Sequence, residues 1–172
     1  EVKSLTELAK HKIGLGPVQS GSYRIAKKIF EVANIKVEGN PNFSSDSIRV
    51  NQDKFKKGEL DGIILVSTNL DPVTKDLLRA PNSAVYDFKN APAYAKQINS
   101  FVTLTLPADS INIAGQKPQK DVTLLATTTS LVVKKSMHPD LQLAILMAAK
   151  DANRNSPNLF FAQRDEFPSY RD

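Results

Sequence analysis

The chain has no cysteine among its 172 residues, which removes disulfides, thiolate metal centres and cysteine nucleophiles at once. Histidine is almost as scarce, with only His11 and His138. They stand far apart, and neither has a second histidine or a carboxylate at the spacing that zinc motifs require. No apolar run approaches the roughly 20 residues that a membrane-spanning helix needs. Residues 1–10 are polar and helix-forming rather than an export signal. Also missing are the glycine-lysine pattern of phosphate-cradling loops, the dinucleotide fingerprint, the Gly-x-Ser-x-Gly elbow of hydrolases and any internal repeat. Lys and Arg outnumber Asp and Glu by 23 to 18, for a net charge of +5. These basic residues come singly or in pairs, as at Lys27-Lys28, Lys56-Lys57 and Lys134-Lys135. They form no longer run and lack the aromatic interleaving of the kind single-strand binders use, so they describe a solvated surface and not a nucleic-acid stripe.

What the chain does have is a hydrophobic fraction of 41%, spread along most of its length and sufficient for a packed core. Lys12-Ile13-Gly14-Leu15 reads as a short strand that runs into a turn of small residues, Gly16 to Ser22. From Tyr23, apolar Ile25, Ala26, Ile29, Phe30 and Ala33 recur at helical spacing. Strand, small-residue turn and helix open a β-α-β unit. Further on, Ile35 to Val37 is expected as a short strand and 47–57 as a helix. Ile63-Ile64-Leu65-Val66 is expected as a central strand buried on both faces of a parallel sheet.

Asp71-Pro72 starts a helix that Pro81-Asn82 ends. Ala84 to Phe88 is expected as another strand, and Asn90-Ala91-Pro92 as the start of a helix reaching Ile98. The alternation Phe101-Val102-Thr103-Leu104-Thr105-Leu106 is a strand pattern. Pro107 to Lys120 is a polar loop, and Val122 to Val133 is a β-branched stretch long for one strand. His138-Pro139-Asp140 then opens a helix with an apolar stripe of Leu141, Ala144, Ile145, Ala148, Ala149 and Ala152. This order predicts an α/β fold, a three-layer sandwich around a mostly parallel sheet. In such sheets ligands bind beyond the carboxyl ends of the strands.

Two turns are expected at that edge. Gln19, Ser20, Gly21 and Ser22 lie just before a helix, where backbone amides have no intrahelical acceptor and can meet an anion. The plainer alternative is a helix cap with glycine easing the turn. Thr68 and Asn69 follow the Ile63–Val66 run, and they stand between ligand contact and ordinary loop polarity. His138 is most simply a helix-start residue, Asp61 a turn residue, and Tyr94 either a core residue or an aromatic face for a ligand. The residues call for no cofactor and no metal.

Ile13-Gly14-Leu15-Gly16-Pro17, Ser20-Gly21-Ser22 and Gly58-Glu59-Leu60-Asp61-Gly62 resemble the second lobe of the TAXI group of TRAP transporter receptors. These are the solute-binding subunits of tripartite ATP-independent periplasmic transporters. Leu131-Val132-Val133, Met137-His138-Pro139-Asp140-Leu141, Phe160-Phe161 and Glu166-Phe167-Pro168-Ser169 are similar to the C-terminal half of the same group, some members of which continue into a membrane-anchoring tail. The resemblance implies a type II periplasmic-binding-protein fold, with residues 1–120 in the second lobe and 121–172 a hinge strand and a segment returning toward the first lobe. Most of that first lobe is expected upstream of Glu1.

The implied activity is binding without catalysis, in the periplasm, of a small organic acid or amino acid that is then passed to a membrane permease. On this reading Gln19 to Ser22 meet the solute carboxylate. The alternative is the ligand-sensing domain of a transcription regulator, which shares the fold. An enzyme on the same scaffold is disfavoured because neither a cofactor-bearing cysteine nor a Thr-Arg-Phe site occurs.

Overall fold

A computed structural model describes residues 2, 4–67, 72–127 and 130–154. The chain divides into two compact units, Glu1–Tyr86 and Asp87–Asp172.

The first unit is built on a parallel sheet. Its strands are β1 (Ile13–Gly14), β2 (Phe43–Ser44) and β3 (Gly62–Ile63), in the order β2-β1-β3. Both pairings are parallel, with Ile13 opposite Phe43 on one side and Gly62 on the other. The helices of this unit are α1 (Leu5–Leu8), α2 (Gly21–Val32), α3 (Ile48–Lys56) and α4 (Pro72–Arg79). The core joins strand and helix: Ile13 and Leu15 are buried with Tyr23, Ala26, Ile29 and Phe30 of α2. Each fully buried side chain of this size contributes about 1.5–3 kcal/mol relative to exposure. Phe30 also stacks on Phe43, with ring centroids 4.8 Å apart.

Local chemistry sets the helix ends. Ser20 and Ser47 are N-caps whose hydroxyls accept from the amides of Tyr23 and Val50. Helix α2 ends on Asn34 at a φ of 57°, and the Ile35 amide reaches back to the Phe30 carbonyl at 2.9 Å. That left-handed residue and returning bond close the last turn.

Three strand expectations in this half of the chain need correction. The strand beside β1 is Phe43–Ser44, whereas Ile35 to Val37 carries no ladder. Val37 is buried all the same, so its apolar character serves packing alone. The Ile63–Val66 run is not the central strand: β1 is central and β3 lies at the edge of the three-stranded sheet, with residues 62–65 half-buried. Ala84 to Phe88 is not a strand either, although Phe88 donates to the Thr123 carbonyl at 2.9 Å.

The second unit contains α5 (Ala91–Gln97), β4 (Phe101–Leu106), β5 (Val122–Thr127) and α6 (Pro139–Arg154). β4 and β5 pair antiparallel over all six residues, from Phe101 opposite Thr127 to Leu106 opposite Val122. Phe101, Leu106 and Val122 are buried with Phe88, Ala91 and Ile98, and Phe88 packs on Tyr94 at 4.9 Å between centroids. The stretch expected as one long strand to Val133 holds its ladder only to Thr127, and 130–134 are irregular. α6 forms as expected, yet its apolar side chains are exposed: in the expected stripe Leu141 is 58% and Ile145 36% exposed, and outside it Leu143 is 57% and Met147 60% exposed. The two units together are a mixed helix-strand structure, with a parallel three-stranded sheet and a small antiparallel one.

Candidate functional site at the carboxyl edge of the parallel sheet

The order β2-β1-β3 has a topological consequence. From β1 the chain crosses to β2 on one side, then returns past β1 to β3 on the other. Right-handed crossovers place the two connecting helices on opposite faces. The direction of crossover therefore reverses between β1 and β3, the kind of switch point at which open α/β sheets hold ligands. Residues 15–20 form the first loop and 64–67 the described part of the second.

Gly16 makes the first turn possible. Its φ is +85°, a conformation strained for any side chain, and a Cβ there would also crowd Ser20 Oγ at 3.1 Å. The Ser20 amide closes the turn on the Pro17 carbonyl at 2.7 Å. The sequence-derived residues then take separate roles. Gln19 and Gly21 are exposed, Ser20 is half-buried and Ser22 is 5% exposed. Ser20 Oγ accepts from the Tyr23 amide at 3.1 Å, the capping role weighed above. Ser22 Oγ accepts from the Val66 amide at 3.1 Å, tying the first turn of α2 to the loop after β3. The hydrogen bonds among the described residues leave the Gly21 and Ser22 amides without an acceptor. No acidic residue sits in that first turn, so the positive end of the α2 dipole is uncompensated there. Thr68 and Asn69 lie outside the described residues.

The structure adds a third loop to the same edge. Because β2 is Phe43–Ser44, residues 45–47 leave the sheet beside Gly14 and carry a polar network absent from the sequence reading. Ser44 Oγ lies 2.7 Å from Asp46 Oδ2 and 2.9 Å from Asn51 Oδ1. Asn51 Nδ2 donates to the Asp46 carbonyl at 3.1 Å, and Lys54 Nζ pairs with Asp46 Oδ2 at 2.7 Å. The Lys54 ammonium, helped by the Ser44 hydroxyl, holds the Asp46 carboxyl below its ordinary range. Asn51 is wholly buried against Gly14, where an added Cβ would sit 2.7 Å from Asn51 Cγ. Ser47, as an N-cap following a small polar run, was the signal that could have located this loop.

Other chemistry is remote from this edge. His11 precedes β1 and Asp61 precedes β3, so their pair, 3.6 Å apart, belongs to the amino edge of the sheet. His138 Nδ1 accepts from the Asp140 amide at 3.3 Å, a helix-start contact in the second unit. Burial raises the Tyr94 hydroxyl above its ordinary pKa, in keeping with a ring packed on Phe88. Among the described residues there is no group of three acidic or histidine side chains able to hold a metal, and no helix is long and apolar enough to cross a membrane.

The fold is thus α/β with two amides open at the carboxyl edge of its parallel sheet. No protein-family model and no curated protein matches the chain.

Proposed function

We propose that the chain is part of a periplasmic solute-binding receptor of the TAXI type, whose α2 N-terminus receives the carboxylate of a small organic acid or amino acid for delivery to a membrane permease. One observation carries this reading: the Gly21 and Ser22 amides stand without acceptors at the switch point between β1 and β3. Paired amides at a helix start suit an anion because both the donors and the helix dipole favour negative charge. The first unit then belongs to the second lobe of a type II binding protein, β5 to the hinge, and α6 to the other lobe. The exposed leucines of α6 support that assignment, since a helix apolar on most sides normally lies within a larger core. Within the site, Ser20 and Ser22 are assigned to holding the loops, the amides to the carboxylate, and Gln19 to the exposed rim.

The test is ligand-linked stability. Intact full-length protein is expected to gain about 2.7 kcal/mol at a hundredfold excess of ligand over Kd. A panel of organic acids and amino acids that leaves its thermal midpoint unmoved contradicts the reading. If the parent sequence carries an upstream helix-turn-helix and no export signal, the transcription-regulator alternative takes its place.

A further inference from the structure

The β4–β5 ribbon has one edge in use and one open. Thr123 turns its backbone away from β4: its amide donates to Asp87 Oδ1 at 2.9 Å, and its carbonyl accepts from the Phe88 amide at 2.9 Å. Thr123 stands opposite Thr105, and in an antiparallel ladder bonded and non-bonded pairs alternate. Thr105 and Thr103 therefore point their amides and carbonyls outward along the far edge of β4. Those groups have no partner among the described residues, and both threonines are exposed. Beside them Val102 is 41% exposed.

Sheet edges are normally blunted by charge, proline or a bulge, because free amides and carbonyls in a row are a template for another strand. Phe101 to Leu106 has no charge, no proline and no glycine, and its register with β5 runs without a bulge. We infer that this edge pairs antiparallel with β4 of a second copy of the chain, about a twofold axis at Leu104. The free groups set the register. Thr103 of each copy exchanges amide and carbonyl with Thr105 of the other, which makes four bonds and uses every open group of these two residues. Leu104 then faces Leu104 of the second copy, and the exposed Val102 is covered by Leu106. Both contacts lie on the apolar face that Val102, Leu104 and Leu106 share with Val122, Leu124 and Ala126. Charge favours a second copy as the occupant. A twofold contact sets each residue against itself or a near neighbour, so a charged edge would repel its own copy, and this one carries nothing to do so. The resulting four-stranded sheet also answers the weakness of two strands alone, which are marginal in water. The inference is independent of the receptor reading.

Sedimentation velocity of intact full-length protein over a concentration series tests it, with a reversible dimer expected. Thr105→Pro removes an outward amide without touching the ladder to β5, and Val102→Lys puts an ammonium where the second copy's Leu106 would lie. Each should weaken the dimer at least about tenfold and leave the far-UV circular dichroism unchanged. Leu104→Cys, the sole cysteine of its chain, should form a disulfide-linked dimer under mild oxidation, because facing Cα atoms of a non-bonded pair lie about 4.5 Å apart, within disulfide range. Ile113→Cys, more exposed but off the strand, should not. A monomer at every concentration overturns the inference, whether β4 is covered by another part of the parent chain or by water. A dimer that both edge variants leave intact, or equal cross-linking at positions 104 and 113, overturns it as well.

Discussion

Ser22 Oγ accepts the Val66 amide at 3.1 Å, a bond between residues 44 positions apart that joins the loop after β3 to the first turn of α2. It spans the switch point of the sheet, so it fixes the spacing of the two loops between which a ligand would lie. A hydroxyl that accepts in this way holds the two loops together, and the Gly21 and Ser22 amides remain as donors for an anion.

Replacing Ser22 by Ala leaves the Val66 amide without its acceptor in a partly buried place. A loss of about 1–3 kcal/mol is expected, measured by chemical denaturation of the chain. A change below about 0.5 kcal/mol, the range of unremarkable surface substitutions, would show that water replaces the hydroxyl freely.

Ser20 separates capping from binding. Ser20→Ala should cost about 1 kcal/mol through loss of the cap, while Ser20→Asp keeps the cap and the stability. The aspartate also places a negative charge beside the Gly21 and Ser22 amides. Carboxylate binding by intact protein should therefore fall in Ser20→Asp even though its denaturation midpoint holds.

Gly14 is required by contact. An alanine methyl would meet Asn51 Cγ at 2.7 Å and Nδ2 at 2.8 Å, and Asn51 is fully buried in the Ser44–Asp46–Lys54 network. Overpacking of this kind costs about 1–3 kcal/mol. Gly14→Ala should lose that amount, and shortening Asn51 to Ala in the same chain should recover part of the steric cost, which a double-mutant cycle reads directly.

Acid should weaken the β2–α3 loop. The Asp46 carboxyl is held below its ordinary value by Lys54 and Ser44. A depressed folded-state pKa means that its stabilising share is complete above the unfolded carboxylate range, around pH 4, and is lost as pH falls through the folded value. Asp46→Asn should flatten that part of the stability curve below about pH 4 and leave its neutral slope alone. Because both partners are exposed to water, the effect should also shrink in high salt.

How much of this was legible in the sequence varied with how local the signal was. β4 forms over the stretch expected for it, Phe101 to Leu106, and α3, α4 and α6 start at the Ser or Pro positions that announce helix ends. The position of β2 was hidden because its partners are distant. Phe43 becomes a strand residue by pairing with Ile13 and stacking on Phe30, and neither contact shows in the polar stretch around it. Ile63 to Val66 has the composition of a doubly buried strand, yet β1 takes the centre with only Ile13 and Gly14 in the ladder. At the site, the open amides followed from the turn-helix pattern. The Ser22–Val66 bond did not, since a hydroxyl's partner 44 residues away leaves no periodic trace.

The most direct measurement is an amide NMR titration of intact full-length protein with a monocarboxylate. The Gly21 and Ser22 amide resonances should shift downfield together and saturate on one binding curve, as new acceptors engage them. Saturable binding with those two resonances unmoved would place the anion elsewhere and contradict the account.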